Sequence, residues 1–73
     1  MPKLRHFSGN EICRILEKQG FQMIRQRGSH AVMQKRDGIS TLTVPVPMHR
    51  EVRIGTLSSI IRQSGVPKSA FEV

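Results

Sequence analysis

The chain has 73 residues, room for one domain with a small core and no more. Twelve Lys and Arg against five Asp and Glu leave a formal charge of +7, which calls for a polyanionic partner: nucleic acid, an anionic membrane surface or an acidic protein. The single cysteine, Cys13, excludes an internal disulfide, and no apolar run is long enough to span a bilayer. His6, His30 and His49 with one Cys do not make a metal-ligand spacing, so chemistry without a metal or other cofactor is expected. Residues 1–7 carry charges but no apolar stretch, so a secretory signal is not expected and the cytoplasm is the expected location.

Residues 8–20 carry helix punctuation. Ser8 and Glu11 are spaced as a capping box, Phe7 and Ile12 as a hydrophobic staple, and Ile12, Ile15 and Leu16 make one apolar stripe. Gly20 suits a left-handed helix end, with Phe21 set to touch Leu16. Short segments follow: a strand over 21–27, a second over 30–35 joined through Gly28-Ser29, and a third over 40–44 entered through the hairpin dipeptide Asp37-Gly38. Pro45 and Pro47 are expected to end the third strand, because neither can donate to a ladder, and 48–53 to form a loop. A second helix is predicted over 55–64 from Leu57, Ile60 and Ile61, with Gly65 and Val66 repeating the first helix's ending. Beyond Pro67, residues 69–72 suffice only for a short turn that holds Phe71 against the body. These elements bury their apolar faces most simply as an α+β two-layer unit, a three-stranded antiparallel sheet with both helices on one face.

Chemistry concentrates at Gly28-Ser29-His30. Histidine changes protonation near neutral pH and serves as base or acid. Arg25 and Arg27 precede His30 and Lys35 and Arg36 follow it, all on or beside two adjacent predicted strands, where a sheet could gather them into one phosphate-binding patch. Gly28 and Ser29 let another backbone approach closely. His49 is either a loop residue beside a proline or a second acid or base; His6 has no assigned task. Met23, Met33 and Met48 read as core filler, and Cys13 as a small buried hydrophobe. Three Phe and no Tyr or Trp disfavour recognition by stacked bases and favour contacts to phosphates and the 2′-hydroxyl.

Several segments taken in order resemble the HicA family of bacterial toxins, also called YcfA-like proteins: the capped helix ending Gly20-Phe21, then Arg25-Gln26-Arg27-Gly28-Ser29-His30, then Val46-Pro47-Met48-His49. Gly55-Thr56-Leu57 and Ile60-Ile61-Arg62-Gln63-Ser64-Gly65 complete the pattern, which covers nearly the whole chain. The stretch 49–54 is shorter than the family pattern, which bears on substrate preference rather than on His30. The resemblance implies a double-stranded-RNA-binding-domain-like α-β-β-β-α fold, an mRNA-cleaving toxin silenced by an acidic-faced HicB-like antitoxin, and a catalytic role for the histidine of Gly-Ser-His, here His30. The expected function is a metal-independent endoribonuclease in which the 2′-hydroxyl attacks phosphorus; the alternative is a basic RNA-binding module without catalysis.

Overall fold

The computed structural model describes residues 6–72. Helix α1 (Gly9–Lys18) is followed by β1 (Gln22–Arg27), β2 (His30–Asp37), β3 (Ser40–Pro47) and helix α2 (Ile54–Ser64), and a single 3-10 turn spans Lys68–Phe71. The strands make one antiparallel sheet in the order β1-β2-β3. This α-β-β-β-α order is that of the double-stranded-RNA-binding-domain-like fold.

Local chemistry fixes the ends of α1. Ser8 Oγ accepts from the Glu11 N–H at 3.1 Å, and the Glu11 carboxylate accepts from the Ser8 N–H at 2.9 Å, which completes the capping box. At the other end Gly20 takes a positive φ of 99°. Its N–H bonds the Glu17 carbonyl and the Phe21 N–H bonds the Leu16 carbonyl, each at 3.0 Å, a Schellman ending. Phe21 is thereby turned into the core, and β1 starts one residue later than the sequence indicates.

Helix α2 ends differently. Gly65 is left-handed and bonds the Ile61 carbonyl at 3.2 Å, but the Val66 N–H is taken by Ser64 Oγ at 3.2 Å instead of a helix carbonyl. The buried serine supplies what a second Schellman bond would have supplied.

The core lies between the helices and one face of the sheet. Ile12 and Leu16 of α1 and Leu57 and Ile60 of α2 are buried together with Ala31 and Met33 of β2 and Val44 and Val46 of β3. Phe7 and Phe71 meet edge-to-face with centroids 6.0 Å apart, which ties the residue ahead of the α1 cap and the 3-10 turn to the same core.

The third strand corrects the expectation drawn from its prolines. It continues through Pro45, opposite Val32, and Pro47, opposite His30. The Met48 N–H bonds the Ser29 carbonyl at 2.6 Å, so by alternation residues 45 and 47 turn their nitrogens away from β2. On an edge strand that nitrogen needs no ladder partner, and proline costs nothing there.

Candidate functional site

Alternation divides the sheet into two faces. Along β2, Ala31 and Met33 point under the helices, whereas His30, Val32, Gln34 and Arg36 point to the face that no helix covers. A 3.3 Å bond from Gln34 Nε2 to Thr43 Oγ1 of β3 lies on that bare face.

A bulge decides where the arginines of β1 go. Met23 lies opposite Met33, but the register shifts before Arg25, which lies opposite Val32, and Arg27 lies opposite His30. In a regular strand Met23 and Arg25 would share a face; the extra residue, Ile24, puts them on opposite ones. Directly opposed residues share a face, so Arg25 and Arg27 join His30 on the bare side. All three are exposed and make no side-chain hydrogen bond or ion pair within the described residues.

The basic residues of β2 do not form one patch. Lys35 follows Met33 on the helix side, and its Nζ stands 5.9 Å from the centre of the Phe21 ring. Arg36 shares His30's face but sits six residues along the strand, about 20 Å away. Strand alternation thus leaves Arg25 and Arg27 as the cations closest to His30 among those expected to bind phosphate.

Gly28 and Ser29 make the two-residue turn between β1 and β2. Gly28 has a φ of 55°, which calls for glycine, while the space a Cβ would fill is open. The close backbone approach occurs at Ser29, whose carbonyl takes the Met48 N–H.

That bond begins a clamp on the segment carrying His49. The His49 carbonyl accepts the Gly9 N–H at 2.9 Å, and the Val52 N–H bonds the Phe7 carbonyl at 2.7 Å. Gly9 is buried where α1 crosses the end of β3; a Cβ there would overlap the Pro47 carbonyl oxygen and lie 2.7 Å from Met48 Cα. Met48 is turned toward Cys13, with the two sulfurs 4.0 Å apart. Burial pushes the Cys13 thiol pKa up, and nearby Glu17 adds to the rise, so the thiol is not activated as a nucleophile.

His30 and His49 line one groove of about 470 Å³ between β3 and α2. Pro45 and Pro47 form one side, and Arg53, Thr56, Ser59 and Gln63 the other, with buried Val52 and Ile60 beneath. Glu51 also borders it, 3.7 Å from His6 Nδ1. Thr56 and Gln63 fall within the segments that carry the family resemblance, but nothing in those segments gives the α2 residues a site role; the signal for one is a polar stripe at positions 56, 59 and 63 beside the apolar one. Gly9 at the start of a helix is a second sign, since glycine has no merit there except the absence of a side chain.

Among the described residues no three His, Cys, Asp or Glu are grouped so as to hold a metal, and no helix is long and apolar enough to cross a membrane. The fold and the bare face define a small basic α+β domain whose uncovered sheet face carries a histidine with two arginines, Arg25 and Arg27, on the strand beside it and a third, Arg36, farther along. The model of the HicA toxin of bacterial toxin-antitoxin systems matches residues 9–66, and the chain belongs to that family. No curated protein matches the chain.

Proposed function

We propose that the protein is a metal-independent endoribonuclease, the toxin of a toxin-antitoxin pair, with His30 as its proton-transfer residue. The observation that carries this reading is the position of His30: exposed on the bare face, opposite Arg27, and bordering the groove that also contains His49. His30 takes the proton of a ribose 2′-hydroxyl, and the oxygen attacks the adjacent phosphorus. The bond to the 5′-oxygen breaks, leaving a 2′,3′-cyclic phosphate and a 5′-hydroxyl, while Arg25 and Arg27 offset charge on the phosphoryl oxygens. We assign protonation of the departing 5′-oxygen to His49. DNA, without the 2′-hydroxyl, is not cleaved.

Purified protein incubated with RNA in EDTA is expected to give cyclic-phosphate ends, and His30→Ala to abolish them while RNA affinity is kept. Binding without cleavage by the wild type would favour the non-catalytic module. A substrate with sulfur in place of the bridging 5′-oxygen needs no proton on its leaving group, so it should restore cleavage to His49→Ala but not to His30→Ala. For its partner, an acidic-faced HicB-like antitoxin would cover His30 and neutralise the strand-borne cations together, and should compete with RNA.

A further inference from the structure

We infer that the groove between β3 and α2 is a subsite for one unpaired ribonucleotide flanking the scissile phosphate, and that Gln63 reads its base. This rests on the reading of His30 given above. The groove's volume, about 470 Å³, falls in the range of small-ligand sites, and a base inside an RNA duplex could not enter it. Because His30 forms part of its wall, an occupant is contiguous with the reacting phosphate.

The two sides differ in a way that suits a base. Pro45 and Pro47 offer apolar rings, and no aromatic residue competes for that task, since Phe7, Phe21 and Phe71 are all buried. The α2 side offers hydrogen bonding. Gln63 is exposed and makes no side-chain hydrogen bond within the described residues, so its amide retains two donors and an acceptor for a base edge. Ser59 is committed instead: its hydroxyl donates to the Gly55 carbonyl at 3.3 Å and accepts from Arg62 at 3.4 Å. Among the described residues Glu51 is the one carboxylate side chain on the lining and repels phosphate there, whereas Arg53, at the start of a helix with no acidic residue in its first turn, attracts it. The sugar-phosphate chain is therefore held toward Arg53 and His30, with the base between the prolines and Gln63.

The test uses short RNAs identical except for the base at each position flanking the cleaved bond, comparing wild type with Gln63→Ala. Wild type should prefer one base at one flanking position by roughly 5- to 100-fold in kcat/KM, and the variant should flatten that preference while still cleaving. In parallel, His30→Ala is titrated with the same set carrying a 2′-deoxy sugar at the cleavage position, with and without Gln63→Ala. Loss of base-selective binding on adding Gln63→Ala supports the subsite even if the wild type proves not to cleave, so failure of the catalytic reading is seen separately. An unchanged preference in Gln63→Ala, with His30-dependent cleavage intact, overturns the subsite and leaves the nuclease reading standing.

Discussion

The two faces of the sheet are built from the same strands and answer to different demands. On the covered face Ala31, Met33, Val44 and Val46 are each 0% exposed and fill the space under the helices. On the bare face, one residue away in every case, stand His30, Val32, Thr43 and Pro45, over which no helix packs. A period of two therefore lets one strand stabilise the fold and carry the site, and neighbours in sequence should fail in different ways when changed.

The widest separation is expected between His30→Ala and Met33→Ala. Losing a general acid or base lowers cleavage ~10²- to 10⁴-fold, and removing an exposed imidazole should leave the unfolding midpoint nearly unchanged. Truncating Met33 removes a buried side chain and should cost about 2–5 kcal/mol of stability, with activity per folded molecule retained. Thermal unfolding and cleavage measured on both variants check this; a strongly destabilised His30→Ala would break the division between the faces.

Gly9→Ala joins the two faces. The added methyl meets Pro47 and Met48 backbone, so we expect a loss of about 1–3 kcal/mol from overpacking and, because the His49 segment must shift, lower cleavage in the molecules that stay folded. Unfolding in urea with activity assays below the midpoint measures both.

Charge changes sharpen the comparison further. Replacing Arg25 and Arg27 by Gln should reduce the slope of log affinity for single-stranded RNA against log salt by roughly 1.4, about 0.7 for each phosphate that is no longer neutralised. Lys35→Gln, on the covered side over Phe21, should leave the slope nearly unchanged. An equal effect from Lys35 would mean that RNA wraps around the end of the sheet.

The smallest effect concerns Cys13. Its pKa is raised in the folded protein, so the proton is held more tightly there than in the unfolded chain. The resulting stability is present below the unfolded pKa and is lost as pH rises through the folded one. Alkylation by iodoacetamide across pH 7–10 should accordingly set in at higher pH for the native protein than for the urea-unfolded one.

What is legible in the sequence is local. The Ser8–Glu11 box, the Gly20-Phe21 ending and the glycine turn between β2 and β3 each depend on residues within a few positions of one another, and the element order follows from them; Asp37 itself ends β2 opposite Ser40, so the turn is Gly38-Ile39, one residue later than the Asp37-Gly38 dipeptide indicates. The continuation of β3 through two prolines is not legible, because whether a proline nitrogen faces a partner depends on being at an edge. Nor is the sorting of Lys35 from Arg25 and Arg27: every residue of β1 is exposed, so no buried pattern marks the bulge at Ile24. His30 stands out through its motif, but the groove beside it joins β3 to a helix stripe that only tertiary packing brings near.

The prolines of β3 have one more consequence. An exposed sheet edge ordinarily invites another strand, from a partner or a second copy, to extend the ladder by main-chain pairing. At the end of β3 beside His30, the two outward nitrogens belong to Pro45 and Pro47 and carry no hydrogen to donate. That margin can accept but not donate main-chain hydrogen bonds, so strand addition is disfavoured there, whereas β1 at the opposite margin contains no proline.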